Sequence, residues 1–218
     1  MQDRWKEIFR LLSLPDEPHV LLAAPGDERE FVDTLLAVYP RARVSAIDVA
    51  RRSIEGTQRP EGGVSRRYAA MSPNFEQQLP PTAFDVAIFD HALDDIVVEA
   101  IARNEGLAPD DAAGEYAPRP RAVRAYWRCG DLETVARPAF LSVLNGCSRA
   151  LKPQSLLVLH HRVLNADLVD GMPMDLYTEY VELARKWTRG SSLGLREVSL
   201  DSLDSHWWLC LTTPSSSA

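Results

Sequence analysis

Apolar runs alternate with amphipathic stretches along most of this chain. Four short runs are apolar almost throughout, as in strands buried on both faces of a parallel sheet. They are residues 19–24, 42–47, 84–89 and 155–160. Other segments place apolar residues at helical spacing. These are residues 3–13, 28–39, 93–104, 132–151 and 176–187. Alternation of strands and helices predicts an α/β fold with a parallel sheet.

The pattern changes at the carboxyl end. Two strand-like runs, 195–200 and 207–212, are joined by the short polar turn 201–205, which predicts an antiparallel hairpin. The aromatic stripe of the preceding helical segment, which includes Tyr180 and Trp187, is interpreted as core or interface.

The chain is predicted to be a single domain spanning residues 1–218. A length of 218 residues suits one core better than two. Two segments stand apart within it: an N-terminal helical segment, 1–17, and a proline- and glycine-rich insertion, 105–130, that is predicted to be a lid. Aromatic residues in the insertion could cover a planar acceptor, and a packed connector is the alternative. They are Tyr116, Tyr126 and Trp127.

Composition narrows the classes of partner. The apolar fraction of 45% and the charged fraction of 25% are those of a folded globular protein. A net charge of −7 argues against a nucleic-acid partner, which normally requires a basic face. There is no signal-peptide pattern or membrane-spanning apolar run, so we expect a soluble cytoplasmic protein that does not bind membranes. The three cysteines are isolated from one another, as in a protein of a reducing compartment.

Several motifs, in this order, resemble those of class I S-adenosylmethionine-dependent methyltransferases. The first strand and its loop correspond to residues 20–28 (VLLAAPGDE), and the second strand ends in an acidic residue within 44–49 (VSAIDV). Residues 84–91 (FDVAIFDH) resemble the fourth strand and the turn after it, and 150–159 (ALKPQSLLVL) the turn into the fifth. The resemblance implies a Rossmann-like three-layer sandwich with a seven-stranded, mostly parallel sheet and a C-terminal antiparallel hairpin.

The same resemblance implies S-adenosylmethionine as the cofactor. Gly26 would let backbone N–H groups approach it, and Asp48 would accept hydrogen bonds from its ribose hydroxyls. A plain tight turn at Gly26 and a helix-capping carboxylate at Asp48 are the alternatives. Further contacts with the cofactor are assigned by position to the loop and to the strand ends. They are Ala24, Pro25, Val49, Met71, where adenine could stack, and Asp90.

The turn after residues 84–89, the run that resembles the family's fourth strand, concentrates polar groups. His91 or Asp94 is the candidate general base on an acceptor hydroxyl or amine, since an imidazole suits proton removal near neutral pH. Helix capping and compensation of the helix dipole are the alternative explanation. We assign no metal site: Asp90 and Asp94 lack identifiable further ligands, and His160 and His161, as neighbours on a strand, point to opposite faces.

The predicted function is transfer of a methyl group from S-adenosylmethionine to an O or N atom of a small-molecule acceptor. The first loop departs from the family pattern, because Leu22, Ala24, Gly26 and Glu28 stand where an acidic residue and alternating glycines are usual. A catalytically inactive methyltransferase-like protein that binds a ligand or a partner is therefore the alternative. A nicotinamide-dependent enzyme is disfavoured because the chain lacks the G-x-G-x-x-G fingerprint. A homodimer is left open.

Overall fold

The structure, a computed structural model, describes residues 2–23, 28–48, 64–70, 75–106, 119–162 and 174–215. In these ranges seven strands form one sheet in the order β3-β2-β1-β4-β5-β7-β6. The strands are β1 His19–Ala23, β2 Arg43–Asp48, β3 Val64–Ala69, β4 Phe84–Asp90, β5 Leu151–His160, β6 Arg196–Val198 and β7 Trp208–Thr212. Strands β1 to β5 pair in parallel, and β7 pairs antiparallel with both β5 and β6. The predicted α/β fold with a C-terminal antiparallel hairpin is confirmed.

Helices cover both faces of the sheet. They are α1 Gln2–Leu11, α2 Glu28–Val38, α3 Phe75–Gln78, α4 Ala92–Asn104, α5 Arg119–Cys129, α6 Leu132–Ala150 and α7 Met174–Arg189. Five of them were predicted from helical spacing, with ends that differ by a few residues. No helix in the described ranges is both long and apolar enough to cross a membrane.

Two apolar cores lie on opposite faces of the sheet because successive side chains of a strand point to opposite sides. On β1, Val20 and Leu22 join the core under α1 and α2, which contains Trp5, Phe9 and Phe31. Leu21 and Ala23 join the core under α4, α6 and α7. The central strands are thus buried on both faces, which explains their uninterrupted apolar sequence and gives the three layers that the sequence predicted.

The structure contains two elements that the apolar pattern did not predict. Strand β3 is an edge strand with exposed Ser65 and Arg66, so its apolar signal is weak. The short helix α3 follows and places the buried ring of Phe75 against α6. Strand β5 also begins earlier than expected, at Leu151, beside Phe84 of β4.

The predicted insertion, 105–130, is helical in its second half. Helix α5 begins at Arg119, and Pro120 lies in its first turn, where a missing N–H costs no helical hydrogen bond. Tyr126 and Trp127 pack at the edge of the core under α4, α6 and α7, and the indole of Trp127 donates to Asp175 at 3.4 Å. These contacts favour the packed connector for this half. Tyr116 lies outside the described residues.

Candidate functional site

The carboxyl ends of the parallel strands form the edge at which predicted site residues meet. From β1 the chain continues to β2 and β3 on one side, whereas β4 and β5 lie on the other side of β1. The sheet order therefore reverses beside β1, and ligands of open α/β sheets bind at the carboxyl ends of the strands at such a point. Leu22 pairs with Ala46 of β2, and Ala23 pairs with Phe89 of β4. Asp48 and Asp90 consequently flank the end of β1.

Asp48 is the last residue of β2 and is half-buried. Its backbone carbonyl accepts a hydrogen bond from the N–H of Ala70 at 2.9 Å, which fixes the end of β2 against the end of β3. The other loop residues predicted to contact the cofactor lie outside the described residues. They are Ala24, Pro25, Gly26, Val49 and Met71.

A second group of side chains, here named the histidine cluster, consists of Asp90, His91, His160 and His161. Asp90 and His160 are register partners at the ends of β4 and β5, and Nδ1 of His160 lies 2.7 Å from Oδ1 of Asp90. The same Asp90 oxygen lies 3.8 Å from Nε2 of His91. The ring of His91 is 5.0 Å from that of His160 and 5.4 Å from that of His161. The ring of His91 therefore lies close to both consecutive histidines.

The backbone holds His91 in an uncommon conformation. It is the N-cap of α4 with φ 55° and ψ 18°, in the left-handed region, and its side chain makes no capping hydrogen bond. Its N–H donates to the carbonyl of His160 at 2.9 Å. This hydrogen bond fixes the turn at His91 to the end of strand β5. Asp94 and Asp95 lie in the first turn of α4, where acidic groups favour the helix dipole.

Aromatic rings enclose the histidine cluster on both faces of the sheet. His160 stacks on Trp208 with 4.0 Å between ring centroids and meets the edge of Trp5 at 5.9 Å. On the other face, His161 meets Tyr180 edge to face at 4.7 Å. Consecutive histidines thus point to opposite faces, as the sequence predicted.

Burial determines the electrostatics of the cluster. The pKa of His161 lies well below its ordinary value because burial disfavours the cation, and the neighbouring His91 and His160 add repulsion. His161 is accordingly neutral near pH 7. Since an ionised carboxylate only accepts hydrogen bonds, the short contact with Asp90 places a proton on Nδ1 of His160.

His160 is the site residue that sequence reasoning set aside. It was judged only against His161, with which it cannot share one ion, and its partners at the end of β4 were missed. The available signal was the predicted sheet: parallel neighbours end at the same edge, so Asp90 and the end of β5 had to meet.

Comparisons with known proteins place the fold. No family model matches the sequence, and no curated protein matches it. The solved structure of the pyocyanin biosynthetic protein PhzM aligns with 96% of this chain and 54% of its own, at TM-score 0.51 and 16% identity. Human N-acetylserotonin methyltransferase, solved in complex with S-adenosylmethionine, aligns with 99% of this chain and 54% of its own, at TM-score 0.49 and 10% identity.

A further solved structure, an O-methyltransferase family 2 protein from Planctomyces limnophilus in complex with apigenin, aligns with 97% of this chain and 56% of its own, at TM-score 0.48 and 17% identity. The chain therefore spans about half the length of these three proteins. The strand order, with its antiparallel β7, is that of a Rossmann-like α/β fold, and the likeness to PhzM extends over 96% of this chain.

Proposed function

We propose that this chain transfers a methyl group from S-adenosylmethionine to an O or N atom of a small-molecule acceptor. The observation that carries the proposal is the placement of Asp48 and Asp90 on the two sides of the carboxyl end of β1. This is the point of the sheet at which an α/β fold of this order binds nucleoside ligands.

Asp48 fits the cofactor's ribose by its chemistry and position. A carboxylate accepts two hydrogen bonds, which matches the pair of ribose hydroxyls, and the charge makes each bond stronger than one to a neutral acceptor. Its half-buried position at the end of β2 reduces competition from water. When bound, S-adenosylmethionine supplies the electrophilic methyl group.

The acceptor side of the proposal rests on the histidine cluster. His91 Nε2 would take the proton from an acceptor hydroxyl or amine, and the carboxylate of Asp90, 3.8 Å away, would stabilise the imidazolium that results. Asp94, one turn into α4, stays the alternative base. His160 holds Asp90 through its 2.7 Å hydrogen bond, so it acts as a positioning residue for that carboxylate.

Titration of the purified protein with S-adenosylmethionine and S-adenosylhomocysteine in a calorimeter tests the proposal without knowledge of the acceptor. We expect saturable binding that Asp48→Ala abolishes. Asp48→Asn keeps the shape but loses the charge, and should weaken binding by about ten- to a hundredfold, the value of charge-assisted hydrogen bonds.

Asp16→Asn is the matched control, because Asp16 is exposed in the loop before β1, at the opposite, amino-terminal edge of the parallel strands. It should bind both ligands as the unchanged chain does. If folded protein binds neither ligand, the proposal fails, and the catalytically inactive methyltransferase-like protein, which the unusual loop at residues 22–28 favours, replaces it.

A further inference from the structure

We propose that Asp90, His91 and His160 form a binding site for one Zn²⁺ ion, or for a divalent transition metal of similar preference. One carboxylate oxygen and one ring nitrogen from each histidine lie within 4.8 Å of one another. The inference stands on this geometry alone and does not require methyl transfer.

The distances match a metal centre after a small adjustment. Donor atoms bound to one tetrahedral zinc at about 2.1 Å lie about 3.4 Å apart. Oδ1 of Asp90 lies 2.7 Å from Nδ1 of His160 and 3.8 Å from Nε2 of His91, so the observed separations lie on either side of that value. Since all three donor atoms lie within 4.8 Å of one another, side-chain movements of about 1 Å would bring them to this spacing.

The donor set determines the class of metal. Two imidazoles and one carboxylate suit zinc and neighbouring transition metals, whereas magnesium and calcium require sites made almost entirely of oxygen. Three protein ligands leave a fourth position for water or an anionic ligand, as in open zinc sites. On binding, the ion replaces the Nδ1 proton of His160, and that proton passes to solvent.

The surroundings keep the proposed ligands close together. His160 is 3% exposed, so its ring has little room to turn away from Asp90. Stacking on Trp208 and the hydrogen bond from the N–H of His91 to the carbonyl of His160 hold two ligands in fixed positions before any ion binds.

The metal ion and the proton of the acceptor would compete for one lone pair, that of Nε2 of His91. Nε2 of His91 can hold either a metal or a proton from an acceptor, so an occupied site would inhibit methyl transfer if both proposals hold. The two are tested separately, because metal binding is measured without S-adenosylmethionine and cofactor binding depends on Asp48.

The test is titration of chelator-treated protein with CoCl₂, in which binding is measured by visible absorption. Co²⁺ can take the place of zinc and absorbs visible light when few ligands hold it. We expect one Co²⁺ per chain, displaced by added Zn²⁺. His91→Asn removes an imidazole while retaining a residue that tolerates the left-handed conformation, and Asp90→Asn removes the charge. Each should weaken metal binding by about tenfold or more.

His206→Asn is the control, because His206 is exposed at the turn before β7 and lies outside the histidine cluster. It should bind Co²⁺ as tightly as the unchanged chain, and circular dichroism should show that every variant is folded. The proposal is overturned if the unchanged chain takes up no Co²⁺. It is also overturned if folded His91→Asn and Asp90→Asn proteins bind as tightly as the control.

Discussion

Gly146 of α6 shows how closely a single position can be constrained. A Cβ atom added there would lie 2.8 Å from Cε1 and 3.0 Å from Cδ1 of Phe75. Phe75 is 2% exposed, so its ring has little room to withdraw. The absence of a side chain at Gly146 thus lets α3 pack against α6, although glycine is otherwise a poor residue inside a helix.

Gly146→Ala is therefore expected to destabilise the protein despite the higher helix propensity of alanine. Overpacking costs about 1–3 kcal/mol, and the gain in propensity returns about 1 kcal/mol, so the net loss should be about 1 kcal/mol. Thermal unfolding followed by circular dichroism should show a midpoint lower by about 2–4 °C.

A double-mutant cycle with Phe75→Leu checks the cause. With the smaller side chain at position 75, Gly146→Ala should cost less or become favourable, because the clash is relieved. An equal cost in both backgrounds would contradict the role of the Phe75 ring.

At the scale of elements, one buried side chain joins α7 to the terminal hairpin. The guanidinium of Arg185 donates from Nε to Glu197 of β6 at 2.7 Å. Its Nη2 donates to the carbonyls of Ser205 at 2.8 Å and Trp208 at 3.3 Å. Since Arg185 is only 5% exposed, these contacts fix β6, the turn and β7 against one helix.

The ion pair between Arg185 and Glu197 makes a pH-dependent contribution to stability. Burial raises the pKa of Glu197, but the guanidiniums of Arg185 and Arg189 outweigh this, so the pKa lies below its ordinary value near 4.5. A carboxyl group whose pKa is lowered by folding contributes stability above its unfolded value, and loses it as the pH falls through the folded one. The contribution is therefore present at pH 7 and decreases below about pH 4.5.

Glu197→Gln should consequently lower the free energy of unfolding at pH 7 by about 1 kcal/mol, a value limited by solvent screening of the partly exposed carboxylate. The difference from the unchanged chain should shrink as the pH falls below 4.5, as measured by thermal unfolding at several pH values. Glu179→Gln, at an exposed position of α7, the helix that carries Arg185, should change stability little at any pH. A difference that stays constant down to acid pH would contradict this origin.

For the whole molecule, one sheet separates two cores and shares its central strands between them. Val86 and Ile88 of β4 belong to the core under α1 and α2, whereas Ala87 and Phe89 belong to the opposite core. If one core loses its packing, the strands that it shares with the other core lose the burial of one face and become less stable. We therefore expect one cooperative unfolding transition.

Two matched substitutions test this coupling. Ile8→Val in α1 and Ile96→Val in α4 each remove one methyl group from a fully buried position, on opposite faces of the sheet. Each should cost about 1 kcal/mol, and the double variant should show their sum to within about 0.5 kcal/mol. Far-UV circular dichroism and tryptophan fluorescence should report the same single midpoint. Separate midpoints would show that the two cores unfold independently.

The sequence by itself determined the elements whose burial is uniform. The runs that became β1, β4 and the end of β5 are apolar on both faces, and no other environment suits them so well. Helical spacing predicted α1, α2, α4, α6 and α7, and the position of Asp48 at a strand end followed directly. These features depend on residues close together in the chain, so local patterns contain them.

Tertiary structure alone decided the rest. Edge strand β3 is held by pairing with β2, and polar residues such as Arg66 do not predict this pairing. Asp90 and His160 are separated by 70 positions and meet only because β4 and β5 are adjacent. Arg185 likewise finds Glu197 only after the hairpin folds back on α7. Contacts of this kind depend on which strands pair, and that choice minimises the free energy of the whole chain rather than of any segment.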